Sequence, residues 1–263
     1  MAKASKPKTA PGGAPGTATV GTKSSKTHAA SKGANDDVAL LLQLATQAPV
    51  LTFPQRKSEA KLYELVVLAE MFEEFNSTPG NSVFLHQPTA GIPNSLAGAP
   101  ASADKSKYAW FELSSANPDH NAEAWVSVQF TGLSATLATR YLGFPPADLQ
   151  ASRHELDITL LRPEPAAAAP RLYPEYSDIL AAVSVKHVAR LHKESVREAL
   201  GFRREMAMLV GPGHGSECDW LEPDVPCNPR SPLFLASSAP NFEGYAGQID
   251  QFGIFPRYMK YPW

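Results

Sequence analysis

Two stretches of the sequence set charged and hydroxyl side chains inside otherwise apolar runs. RHELDITLL (residues 153–161) carries Glu155 and Asp157. ILAAVSVKHV (179–188) carries Ser184, Lys186 and His187. A lysine in the apolar centre of a strand is costly unless it is paired or put to use. If the proline-rich segment 162–178 joins the two stretches as an antiparallel hairpin, Leu161 falls near Leu180. Asp157 then stands opposite Ser184, and Glu155 opposite Lys186. Side chains two apart share a face of a strand. Glu155, Asp157, Ser184 and Lys186 are therefore expected on one face of two neighbouring strands. A slip of one residue would break the set.

Two carboxylates and a lysine on one face suit phosphodiester hydrolysis. Mg²⁺ prefers hard oxygen ligands and is often held by only one or two carboxylates, with water and phosphate oxygens completing the shell. A nearby lysine positions the attacking water or stabilises the developing charge. The blander reading of Lys186 and Glu155 is a cross-strand ion pair on a solvent-facing strand, worth a few tenths of a kcal/mol. His187 falls on the opposite face from Lys186 and is expected to pack.

The elements that must position these residues are legible around them. SEAKLYELVVLAEMFEEF, capped by Ser58, repeats Leu62, Leu65, Val66, Ala69 and Phe72 at helical spacing. DDVALLLQLATQA before it predicts a shorter helix capped by Asp36 or Asp37. NSVFLH, KYAWFELSS and EAWVSVQF read as strands, the last alternating as a half-buried strand does. SATLATRYLGF predicts a helix ending at Gly143. RLHKESVREALGFRRE follows the lysine strand as an amphipathic helix. MAMLVG, PLFLASSAP and FGIFPRYM are strand-like, with NFEGYAGQIDQ a short helix between the last two. PGHGSECDWLEPDVPCNPRS reads as irregular. The order predicts an α/β fold, a mixed central sheet flanked by helices.

The arrangement resembles the PD-(D/E)xK restriction-endonuclease-like nuclease superfamily. That family places an aspartate on one strand and a carboxylate-x-lysine on the next, followed by a helix. Here HELDITLL supplies Asp157, SVKHV supplies Lys186, and KESVREALGFRRE takes the place of the helix. SEAKLYELVVLAEMF is similar to the family's first helix, in which a glutamate such as Glu64 adds to the site. The closing strand, helix and strand also match in order. The resemblance implies a restriction-endonuclease-like fold and DNA cleavage with Mg²⁺ or Mn²⁺. It implies Lys186 as the catalytic lysine and Asp157 as a metal ligand, with the Val185 carbonyl and Glu155 as further ligands and Glu64 as a spare carboxylate. The sequence departs from the pattern at Ser184, which stands where the family has a carboxylate. Either Glu155, Glu64, Glu194 or Glu198 fills in, or the site is silent and the fold serves as a module binding nucleic acid or protein.

Composition sets the remaining bounds. Of the 24 lysines and arginines, six lysines lie in the first 35 residues, where there is no acid. The rest of the chain therefore carries −8 against the −2 of the whole. Residues 1–35 lack the apolar side chains that would offset ordering entropy and are expected to form a disordered basic tail. Residues 36–263 are expected to form one domain. The acidic folded part favours a third reading, an unrelated structural or assembly protein. No long apolar run or secretory h-region is present, and the two cysteines make no disulfide framework, so a cytoplasmic protein without membrane contact is expected. DNA is the expected partner and a homodimer a further possibility.

Overall fold

The computed structural model describes residues 32–46, 57–97, 100–143, 153–165, 169–206, 208–210, 225–227 and 231–260. The elements run α1 (Lys32–Thr46), α2 (Glu59–Asn76), β1 (Ser82–His86), β2 (Trp110–Ser114), β3 (Ala122–Thr131), α3 (Leu133–Leu142), β4 (Arg153–Leu161) and β5 (Ile179–Lys186). They continue with α4 (Lys193–Glu205), β6 (Met208–Val210), β7 (Val225–Cys227), β8 (Leu233–Ser237), α5 (Glu243–Asp250) and β9 (Ile254–Tyr258). Seven strands form one mixed sheet in the order β1-β2-β3-β4-β5-β8-β9, and β6 pairs with β7 apart from it. β1 to β5 form an antiparallel meander, and β8 and β9 add in parallel to β5.

Local chemistry explains the main boundaries. The Ser58 side chain accepts the Lys61 amide and so satisfies an orphan donor at the start of α2. α3 stops at Gly143, which is left-handed at φ 67°, a conformation glycine adopts without a Cβ penalty. Gly132, at the other end of α3, has no side chain to cap with. Glu205 of α4 reaches over instead and accepts the Ser134 amide at 2.8 Å. α1 begins at Lys32, before the expected caps Asp36 and Asp37, so residues 32–35 are helical. The rest of the lysine-rich segment lies outside the described residues.

Two apolar clusters sandwich the sheet. One joins α1 and α2 to one face through Leu42, Leu65, Phe72, Phe111 and Val183. The other joins α4 and α5 to the opposite face through Ala199, Ile249, Trp125 and Leu235. This double cover overturns the half-buried reading of β3, which is buried along most of both faces. β7 corrects a second expectation, because a strand lies within the segment read as irregular. Among the described residues, no helix is long and apolar enough to cross a membrane.

Candidate functional site

β4 and β5 are hydrogen-bonded neighbours. Ile158 pairs with Val183, Thr159 with Ala182 and Leu160 with Ala181. The ladder shifts by one residue at Leu161, which pairs with Ile179. The same offset, continued past Ile158, sets Asp157 across from Ser184, but the regular ladder stops short of that level. There the Asp157 carboxylate accepts the Val185 amide at 2.6 Å. Side-chain oxygen thus takes the place of a backbone ladder acceptor.

β3 is irregular at the same level. Its pairs with β4 keep one offset from Glu123↔Leu161 to Thr131↔Arg153, with Ser127 the one position skipped. Ser127 has φ 52°, in the left-handed region that non-glycine residues seldom occupy. Its carbonyl accepts the Ala101 amide at 3.0 Å. The consequence is visible in packing. Ala124 and Val126 belong to the cluster under α2, whereas Val128 and Phe130 belong to the cluster under α4. In β4, Ile158 and Leu160 lie with α2, whereas Leu156 lies with α4. Residues two apart normally share a face. Both strands therefore exchange faces, β3 at Ser127 and β4 at Asp157. The exchange in β4 lies between Leu156 and Ile158, and Glu155 and Asp157 still reach one cavity with Lys186.

The exchange lets side chains from both faces of the sheet converge. A cavity of about 350 Å³ is lined by Arg153, His154, Glu155, Asp157, Lys186, Glu198 and Phe202. Lys186 Nζ lies 2.9 Å from Glu198 Oε2. From the other side, Lys61 of α2 reaches in with its side chain only 7% exposed. Its Nζ lies 2.5 Å from Glu64 Oε2 and donates to Ser127 Oγ at 2.6 Å. The Ser127 hydroxyl also lies near enough to the Glu155 carboxylate to favour its ionised form. Glu64 is mostly buried behind Lys61 and does not line the cavity.

The electrostatics follow from this crowding. Burial pushes Glu64 up to about 7, with Asp157 and Glu155 adding to the rise against the pull of Lys61. Burial likewise holds Asp157 above the usual aspartate range, although Lys186 and the Val185 amide oppose it. Glu155 is raised for the same reason, against the pull of the Ser127 hydroxyl. Each of these carboxyls thus faces both desolvation and acidic neighbours.

Ser184 does not line the cavity. It is fully buried, and its Oγ has no hydrogen-bond partner among the described residues. Of the four candidate substitutes for the missing carboxylate, Glu155 and Glu198 line the cavity. Glu64 stands behind Lys61, and Glu194 is exposed on the first turn of α4. His187 packs away from the acids, its ring 5.1 Å from that of Tyr63 and its Nδ1 2.9 Å from Ser238 Oγ. Backbone alternation fixes the aim of Val185. The Ala182 amide and the Lys186 carbonyl bond toward β8, so the polar groups of Val185 turn toward β4.

Lys61 and Ser127 were missed as site residues. Lys61 carried a signal, since it lies on the stripe Leu65, Leu68 and Phe72, where a charge must find a buried partner. Among the described residues, no group of three or more His, Cys, Asp or Glu is arranged to hold a metal ion. Compared with protein-family models, curated proteins and solved structures, the chain matches none.

Proposed function

We propose that this chain is a metal-dependent nuclease of restriction-endonuclease-like fold, acting on DNA phosphodiester bonds at the cavity between Asp157 and Lys186. One observation carries the reading. The Asp157 carboxylate breaks the β4–β5 ladder and lines the same cavity as Lys186 and Glu198. Element order supports it. A helix (α2) precedes an antiparallel meander ending in the lysine strand, and α4 then leads to β8, parallel to that strand.

The donor set fits Mg²⁺ or Mn²⁺ and not a metal that demands a full protein cage. Asp157 and Glu155 offer hard oxygens, and the Val185 carbonyl turns to their side. An ion of this kind accepts one or two carboxylates and fills the rest of its shell with water and phosphate oxygens. Asp157, Glu155 and the Val185 carbonyl are the residues that would hold it. When bound, the ion lowers the pKa of a coordinated water and offsets negative charge on the phosphate. The cavity's three acids, Glu155, Asp157 and Glu198, outnumber its cations Arg153 and Lys186 by one, so a bound divalent cation would turn its charge positive toward a polyanion.

The chain's own groups divide the remaining work. Lys186 Nζ places a positive charge where the attacked phosphate gains negative charge. Glu198 holds that ammonium in place and supplies the carboxylate that Ser184 lacks. The Val185 amide fixes the orientation of Asp157. Lys61 and Ser127 favour the ionised form of Glu155 from behind. Incubating supercoiled DNA with the protein tests the reading. Nicking that requires Mg²⁺ or Mn²⁺ and stops with chelator is expected. DNA binding without nicking would favour a silent binding module, and neither would favour the structural or assembly reading.

A further inference from the structure

A separate cavity of about 370 Å³ opens between α2 and the sheet. Its walls are apolar, with Val67, Met71 and Phe75 from α2 facing Leu160, Val183 and Phe234 from the sheet. Only Glu74 and Arg257 among its lining residues carry charge. These two pair with each other, and Arg257 also lies over the Phe234 ring, 5.7 Å from its centroid. The Glu74 side chain is 64% exposed, which places the pair at the solvent end. A cavity of this size with an apolar body and one polar end is built as ligand pockets are. Water gains little inside it, because a buried water needs two or more polar partners.

The charged pair indicates the head group. An ion pair with one well-exposed partner is worth little, so Glu74 is easily displaced. A ligand carboxylate in its place gives Arg257 the two-point contact that a guanidinium favours. We propose that this cavity binds a linear amphipathic carboxylate of the fatty-acid class, its chain between α2 and the sheet and its head group on Arg257. The site shares no lining residue with the acidic cavity, so it stands independently of the nuclease reading.

Calorimetry of the full chain with saturated carboxylates of about eight to sixteen carbons tests this, with affinity expected to rise about fourfold per methylene until the cavity is filled. Arg257→Gln, on a partly exposed edge strand, should weaken carboxylate binding about tenfold and leave the matching alcohol unaffected. Ala181→Leu narrows the cavity and should weaken both ligands. Absence of saturable binding would overturn the proposal, as would equal binding by wild type and Arg257→Gln. A concentration-dependent dimer that Ala181→Leu disrupts without any carboxylate present would assign the face to a second copy and overturn it too.

Discussion

Ser127 and Asp157 stand opposite each other on neighbouring strands, and each is the residue at which its strand exchanges faces. A regular sheet would keep the helices on its two sides apart. Here the exchange brings Lys61 from α2 and Glu198 from α4 to the same group of acids. The left-handed backbone of Ser127 is the local cause. Such a conformation costs about 1–3 kcal/mol and persists where the surroundings over-determine it, as they do at many functional sites.

That strain is measurable. Ser127→Ala and Ser127→Gly both delete the hydroxyl that accepts from Lys61, but only glycine relieves the positive φ. The glycine variant should be the more stable of the two by about 1 kcal/mol in urea unfolding. Equal stabilities would mean the backbone relaxes to ordinary strand geometry once the hydroxyl is gone.

Lys61 is a buried charge whose partners are Glu64 and Ser127. At pH 8, above the titration of Glu64, Lys61→Met should destabilise the fold by about 3 kcal/mol, because it leaves a buried carboxylate without its cation. Adding Glu64→Leu should recover most of that loss, since an apolar pair of similar volume replaces the ionic one. Chemical denaturation of the single and double variants checks this. Additive losses in the double variant would show that the two residues are not energetically coupled.

Glu64 also sets a pH dependence. Its folded value near 7 lies above the ordinary 4.5, so the folded state binds the proton more tightly than the unfolded state. The stability from this proton is fully present below about pH 4.5 and is lost as pH rises through 7. Wild type should therefore lose more stability than Glu64→Gln between pH 5 and 8, by on the order of 3 kcal/mol. Asp157 and Glu155 shift in the same direction and add to the slope of both proteins. Parallel pH profiles for the two proteins would show that Glu64 is not the titrating group.

Much of this was legible in the residues. β4 matched RHELDITLL from Arg153 to Leu161, and the offset taken from Leu161 and Leu180 is the one that pairs Ile158 with Val183. Turn chemistry and apolar runs fix those features locally. The one-residue shift at Leu161 had no glycine or proline to mark it. The face exchange was hidden for the same reason. Positive φ is usually betrayed by glycine or asparagine, and a serine inside WVSVQF gives no such sign. Half-burial of β3 was inferred from alternation alone, which does not reveal that helices cover both faces. Glu198 was legible only as one of several acids, because a helix fixes its own periodicity but not its distance from the next strand.

Ser184 and Glu198 separate position in sequence from position in space. By sequence, Ser184→Glu would restore a missing ligand. By structure, Ser184 is fully buried, so a carboxylate there should lower stability by about 2 kcal/mol or more. Glu198 lines the cavity with its side chain 46% exposed. Glu198→Gln should keep the melting temperature within a degree or two, as surface changes usually do, while weakening Mn²⁺ binding in calorimetry. Tighter Mn²⁺ binding by a stable Ser184→Glu protein would reverse this assignment.

In the proposed function, Asp157 and Lys186 form one metal-dependent phosphodiester-cleaving site. Single-turnover cleavage of end-labelled DNA by the full chain, with Mg²⁺ or Mn²⁺, tests it most directly. Wild type should cut, and chelator should stop it. Asp157→Asn and Lys186→Ala should each slow cutting by at least about a hundredfold, the loss expected when a charge-stabilising group is removed. Circular dichroism should show both variants folded, with melting temperatures lowered by a few degrees because the Asp157 carboxylate is largely desolvated and Lys186 is the cation beside it. Metal-dependent cutting that persists in both folded variants would contradict the account, as would a folded wild type that never cuts.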